Sequence, residues 1–269
     1  MASEKIFSVK WKDGEQPIPL YYIENIKQDT DTLVVYLHGA AGKPLFPYYN
    51  GRGISKRVED ASFILFSDPV RGLDPKLETT IGWYCSPHKE EEIITHMVRI
   101  VSEARKKYNF KKTMLIGGSA AGIGVVRTSQ RMSGVSCFLW NPQTDILKYY
   151  AGHVGRWKKA VKYNEGEDSR NTNILDPNLY REDNKYYIAQ KVDDHYHINN
   201  HFNPLQDSLG ENKDNVLLWK GNWDEREGHV AIHGEKQVEL LRHFALVSHK
   251  QFNKEYFIKH LDVQRLGDQ

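Results

Sequence analysis

The sequence predicts an α/β fold: a mostly parallel sheet of eight strands with helices on both faces. Three observations carry that expectation. Continuous apolar runs recur, as at Thr32 to Leu37, Ser62 to Phe66 and Ser136 to Trp140, and unbroken apolar character marks strands covered on both faces. Helical stretches with one apolar face separate them, the clearest from Lys89 to Tyr108. Polar or small residues stand where the runs stop, at His38-Gly39, Ser67-Asp68, Asn141-Pro142 and Asp193-Asp194. Right-handed crossovers bring such ends to one edge of a sheet, where a cleft forms.

Taken in order, Phe7 to Trp11 and Leu20 to Glu24 read as two strands joined by a turn around Asp13-Gly14 and Pro17. Thr32 to Leu37 and Ser62 to Phe66 are buried strands. The helix from Lys89 to Tyr108 places Ile93, Ile94, Met97, Ile100, Val101 and Ala104 on one face, with Glu90 to Glu92 at its start and Arg105 to Lys107 at its end. Those charges complement the helix dipole at both ends. Met114 to Ile116 is the next strand, followed by a helix of about three turns that stops near Ser133-Gly134. After Ser136 to Trp140, residues 144 to 184 are polar and rich in Tyr, Trp and Lys. The sheet resumes at Tyr186 to Val192 and Val216 to Trp219, and a helix from Glu235 to Val247 buries Val238, Leu241, Phe244 and Ala245.

Composition narrows the function. A chain of 269 residues with 39% hydrophobic and 12% aromatic residues supports a sizeable core. A formal charge of +2, with no Lys/Arg block interleaved with aromatics, gives no field for nucleic acid. Two cysteines, Cys85 and Cys137, are too few for a disulfide framework. No run reaches membrane-spanning length, and Met-Ala-Ser-Glu-Lys-Ile-Phe lacks a positive stretch followed by an apolar one. The expectation is a cytoplasmic protein without membrane insertion.

Residues 113 to 122, Thr-Met-Leu-Ile-Gly-Gly-Ser-Ala-Ala-Gly, carry the chemistry. A buried strand meets two glycines and then Ser119, at the apex of a turn into a helix. Gly117 and Ala121 flank the serine at minus two and plus two, one methyl away from the G-x-S-x-G nucleophile elbow. A serine hydroxyl needs a base to take its proton, and the base is usually a histidine oriented by a carboxylate. His229, in Glu227-Gly228-His229-Val230 after the last strand, is the candidate base, with Asp193 or Asp194 after the preceding strand as its acid.

Ser, Asp and His in that chain order, after strands five, seven and eight, resemble the α/β-hydrolase superfamily, and the resemblance spans about Phe7 to Val247. It implies an acyl-serine mechanism of the esterase or acyltransferase type. His38-Gly39-Ala40 resembles the family's oxyanion-hole loop, which implies that the backbone N–H groups of Ala40 and Ala120 hold the developing oxyanion. Where the family usually shows Gly before the acid, this chain has Lys191. That register favours Asp194 as the acid, with Asp193 beside it as the alternative. Residues 144 to 184 fall where the family places a lid or cap.

Other readings compete. A nucleotide-binding loop at Gly117 to Gly122 lacks its partner, since the next strand ends in Trp140-Asn141 rather than an acid and no Walker-type Lys follows. Glu225 and Glu227 share a loop with His229 and would have to reach around it. Asp193-Asp194-His195-Tyr196-His197 with His201 contains zinc-capable ligands, read here as a polar loop at the cleft mouth. Cys85 has no visible base and reads as a packing residue. No cofactor or metal is expected.

Tyr149, Tyr150, Trp157 and Tyr163, with Lys158 and Lys159, make the 144 to 184 segment less greasy than a lipase lid. The expected substrate is a polar or glycan-linked ester. The main alternative is O-acyl transfer to a glycan hydroxyl, as in some related bacterial enzymes of cell-surface glycans, with a separate acyl donor. A non-catalytic binding protein on the same fold is the third reading.

Overall fold

The computed structural model describes residues 3–9, 18–42, 44–86, 90–164, 166, 172–210, 213–247 and 252–262. Strands β1 (Ser3–Val9), β2 (Ile18–Asn25), β3 (Thr32–Leu37), β4 (Ser62–Phe66), β5 (Lys112–Gly118), β6 (Ser136–Trp140), β7 (Lys185–Lys191) and β8 (Val216–Gly221) form one sheet. Their spatial order is β1-β2-β4-β3-β5-β6-β7-β8. β2 runs antiparallel to both neighbours, and every pair from β4 through β8 is parallel. The expected buried strands are present, and β3, β4 and β6 begin and end at the residues the apolar runs mark. The expected turn at Asp13-Gly14 and Pro17 lies outside the described residues.

The alternation of side chains along each strand divides the core in two. Leu33, Val35 and Leu37 of β3 and Leu115 of β5 face α2 (Glu90–Lys107), which contributes Ile93, Met97, Ile100 and Val101. Val34 and Tyr36 of β3 with Met114 and Ile116 of β5 face α7 (Gly234–Leu246), which contributes Val238, Leu241 and Phe244. A sheet covered on both faces needs strands that are apolar throughout, which is why β3 and β4 are buried at every residue.

The remaining helices are α1 (Arg52–Arg57), α3 (Ala121–Gln130), α4 (Ala151–Val161), α5 (His195–His197), α6 (Asn203–Leu209) and α8 (Lys254–Leu261), with π-helical Ile198–Phe202 joining α5 to α6. Residues 195 to 201, expected as a loop, are therefore helical. Asp194 starts this helix by accepting from the His197 N–H at 3.4 Å. The helix docks through His197, His201, Phe202, Leu205 and Leu209, a buried face that includes two histidines and so escapes an apolar pattern.

Candidate active site

Ser119 sits between the end of β5 and the start of α3 with φ 55°. That left-handed conformation costs a non-glycine residue roughly 1–2 kcal/mol. Three backbone bonds hold it there. The Ser119 N–H donates to Trp140 O at 2.9 Å, and Ser119 O accepts from Gly122 and Gln143 at 3.1 and 3.0 Å. The flanks explain their composition. A Cβ on Gly117 would lie 2.6 Å from the Ala121 Cβ, so the turn accommodates the Ala121 methyl because position 117 has none. A Cβ on Gly118 would lie 2.0 Å from Trp140 Nε1. The bare backbone at 118 is the slot in which the indole rests.

The sheet edge brings together three of the residues expected there. Ser119 Oγ lies 2.9 Å from His229 Nε2, and His229 Nδ1 lies 2.7 Å from Asp194 Oδ2. Asp194 is buried, whereas the His229 side chain is 34% exposed and faces the cleft. Burial alone would raise the Asp194 carboxyl. Hydrogen bonds from His197 and His229 outweigh it and hold the group well below the usual carboxylate range.

Asp193 turns elsewhere. It takes the Lys191 ammonium at 2.5 and 2.7 Å and accepts the Gly228 N–H at 3.2 Å. Lys191, which stands where a glycine is expected, is fully buried, and Asp193 is its counter-ion. The pair ties the end of β7 to the loop carrying His229.

His197, expected in a polar loop at the cleft mouth, packs against His229. Its Nδ1 lies 2.9 Å from Asp194 Oδ1, and its ring stacks on His229 with centroids 3.9 Å apart and planes at 15°. Burial lowers its pKa against the pull of Asp194, and its Nδ1 donates to the carboxylate. One carboxylate thus orients two imidazoles. Asp194, His197 and His229 also place three metal-capable atoms within 4.8 Å of one another. Of the other residues in the zinc reading, His201 accepts the Thr144 N–H at 3.3 Å and His195 is exposed. The only sequence signal for His197 is its place three residues after an N-capping Asp.

The His38-Gly39-Ala40 loop is pinned from below. His38 is buried; its Nδ1 donates to Gly39 O at 2.7 Å and its Nε2 accepts from the Asp68 N–H at 2.9 Å. Its own N–H donates to the Tyr84 hydroxyl at 2.9 Å. A Cβ on Gly39 would lie 2.8 Å from Gly118 O, so the loop approaches the Ser119 turn as closely as bare backbone permits. Ala40 lines the cleft with Ser119, and Ala120 is buried directly after it.

Burial pulls His38 down from its ordinary value of 6.5 to about 3. The unfolded chain binds a proton at this side chain below pH 6.5 and the folded chain does not. Stability is therefore fully present above pH 6.5 and drains as pH falls toward 3. His38→Gln is expected to flatten the dependence of the denaturation midpoint on pH across that window by up to one proton, about 1.4 kcal/mol per pH unit. An unchanged slope would show that His38 is not buried as the neutral form.

The cleft has a volume of about 420 Å³ and is lined by Tyr36, Gly39, Ala40, Asn50, Ser119, Trp140, Asn141, Tyr149, His229 and Gln237, among others. Among the described residues that line it, none is Asp, Glu, Lys or Arg. Beneath it lies a residue that the sequence did not single out. Gln143, fully buried, donates from Nε2 to Ser119 Oγ at 2.9 Å. Its Oε1 accepts from Trp83 Nε1. Burial pushes Tyr149 up to about 12, with a hydrogen bond from Gln143 opposing.

No protein-family model matches the chain, and no curated protein does. Solved structures share its architecture. A histidine-to-alanine mutant of the capsule O-acetyltransferase of Neisseria meningitidis serogroup A, in complex with CoA, is 14% identical with a TM-score of 0.56, over 84% of this chain and 91% of that one. The peroxisomal alpha-beta-hydrolase Lpx1 of Saccharomyces cerevisiae is 11% identical with a TM-score of 0.55, over 90% and 88%. An arylesterase is 14% identical with a TM-score of 0.51, over 94% and 86%. At these identities the likeness concerns architecture: the chain has the α/β-hydrolase fold.

Proposed function

We propose that the protein is a serine-dependent acyl-ester hydrolase working through an acyl-serine intermediate. The observation that carries the reading is the unbroken line from Ser119 Oγ to His229 Nε2 at 2.9 Å and from His229 Nδ1 to Asp194 Oδ2 at 2.7 Å. In this reading His229 takes the Ser119 proton as Oγ bonds to the ester carbonyl carbon. The backbone N–H groups of Ala40 and Ala120 receive the oxyanion, each such donor contributing about 3 kcal/mol to the transition state. The tetrahedral intermediate collapses, His229 returns the proton to the departing alcohol, and water repeats the sequence to free the acid.

The aromatic walls of the cleft, and a described lining without Asp, Glu, Lys or Arg, favour a polar, neutral ester with a sugar hydroxyl as the alcohol. Residues 144 to 184 act as the cap over this end of the sheet. Tyr149 reaches the cleft, and Tyr150 stacks on Tyr196 at 4.1 Å beside it. The buried thiols of Cys85 and Cys137, the latter pushed up to about 12 by burial, suit a reducing cytoplasm. No helix among the described residues is long and apolar enough to cross a membrane.

O-acyl transfer to a glycan hydroxyl is the second reading, favoured by the aromatic pair at the mouth, which offers a face to a sugar ring. The two readings separate in one experiment. A fluorophosphonate probe is expected to form a single adduct, on Ser119, and a short-chain nitrophenyl ester to release acid and nitrophenol in equal amounts. Acyl product on an added glycan in excess of free acid would replace hydrolase by transferase. Failure of the probe to label Ser119 would leave a binding protein on a hydrolase fold.

A further inference from the structure

Ser119 Oγ carries a hydrogen bond that a serine, histidine and aspartate alone do not supply. We propose that Gln143 is a catalytic residue that donates to Ser119 Oγ during acylation and deacylation, and that Trp83 is the positioning residue that sets the direction of this bond. The inference rests on the acyl-serine reading above.

Direction follows from donor inventory. An indole N–H can only donate. Because Trp83 Nε1 points at Gln143, the amide presents its oxygen to Trp83 and its NH₂ to Ser119. Ser119 Oγ therefore accepts from Gln143, and its own hydrogen is left for His229 Nε2 at 2.9 Å. His229 in turn donates from Nδ1 to Asp194. Every link from Trp83 to Asp194 runs one way, so the serine proton already points at its base.

The fold invests in this arrangement. Trp83 and Tyr84 both adopt left-handed φ, 56° and 55°. Two successive non-glycine residues in that region persist only where surrounding packing dictates them. Trp83 is fully buried and meets the Trp157 ring edge-on, with centroids 6.0 Å apart. Trp157 is itself anchored by its N–H to Cys85 O at 2.9 Å.

The bond matters most where Oγ gains negative charge, because hydrogen bonds to charged groups are about twice as strong as neutral ones. In acylation the O–H bond breaks, its proton passes to His229 and Oγ bonds to carbon, with the Gln143 bond already made in the free enzyme. Deacylation starts from an ester oxygen, a poor acceptor. As water gives a proton to His229, its hydroxyl bonds to the acyl carbon and the carbon–Oγ bond breaks, Oγ takes the electron pair and the Gln143 N–H meets it until His229 delivers that proton. The gain from ground state to transition state is larger in this second half.

Stopped-flow hydrolysis of nitrophenyl acetate by the whole protein tests this, with fluorophosphonate labelling as a parallel readout. Gln143→Met, which keeps volume and removes the donor, is expected to slow deacylation about 10- to 100-fold. Acylation should fall less, so the pre-steady-state burst rises and KM falls with kcat. Gln143→Glu places an acceptor against Ser119 and is expected to label more slowly than Gln143→Met, although its shape is closer to the native amide. Trp83→Phe frees the amide to flip and should fall between wild type and Gln143→Met. It reads the same bond from a residue remote from the nucleophile if a Gln143 variant fails to fold. A purely structural Gln143 predicts the reverse order of Glu and Met and equal losses in both steps, and either result would overturn the proposal. A wild-type protein that does not label at Ser119 would instead overturn the acyl-serine reading, and this inference with it.

Discussion

Ser119→Ala is expected to lower ester turnover by about 10⁴- to 10⁶-fold, the scale on which removal of a serine nucleophile acts. Beyond chemistry, the change removes the acceptor of the buried Gln143 N–H, a cost of about 1–3 kcal/mol. The alanine methyl occupies the same left-handed position, and the three backbone bonds of the turn do not involve Oγ. His229 keeps its bond to Asp194 and its stack on His197, so the base stays in place without a proton to take. The measurement is kcat/KM on a nitrophenyl ester alongside a thermal melt. Turnover within tenfold of wild type in a folded variant would remove Ser119 from the mechanism.

Asp194→Asn and Asp193→Asn are expected to fail in different ways. Asn at 194 can turn its NH₂ toward His229 Nδ1, which forces the tautomer that carries hydrogen on Nε2. That nitrogen then cannot accept from Ser119, and turnover should fall about 10⁴-fold. Asn at 193 leaves the catalytic geometry alone and deprives the fully buried Lys191 of its counter-ion. Removing one member of a buried pair costs about 3–5 kcal/mol, and the 29% exposure of Asp193 places this case at the low end or below. The first variant should melt close to wild type with turnover all but lost. The second should melt early and work normally while folded. The opposite outcome would exchange the two aspartates.

The contrast shows what could be read from residues alone. β3, β4 and β6 were legible because strands buried on both faces must be apolar at every position. The Ser119 turn was legible because its steric demands at 117, 118 and 122 select glycine. The placing of Asp194 and His229 at one sheet edge followed from strand order, and the register at Lys191 favoured Asp194 over Asp193; the burial of Lys191 is what no local pattern announces. Gln143 was invisible for a related reason: its role is conferred by Trp83, sixty residues earlier in the chain, and nothing in Asn-Pro-Gln-Thr points to that partner. His197 was named as a possible zinc ligand, but its burial was missed because a buried histidine counts as polar in any periodicity. Local sterics and burial leave marks in sequence, whereas a polar bond across the fold does not.

The anchoring of α4 bears on how a protein of this fold could acquire a new preference over evolutionary time. Trp157 is fully buried, holds Cys85 O and buttresses Trp83, so α4 is not an interchangeable module. A chimera that swapped α4 for the equivalent helix of another protein of this fold would lose the buttress behind Trp83. New preferences can arise more readily by single changes at half-exposed Tyr150 and its neighbour His153, which face outward from the same support. Divergence would then proceed by retouching the exposed side of α4 while its anchored face stays in place.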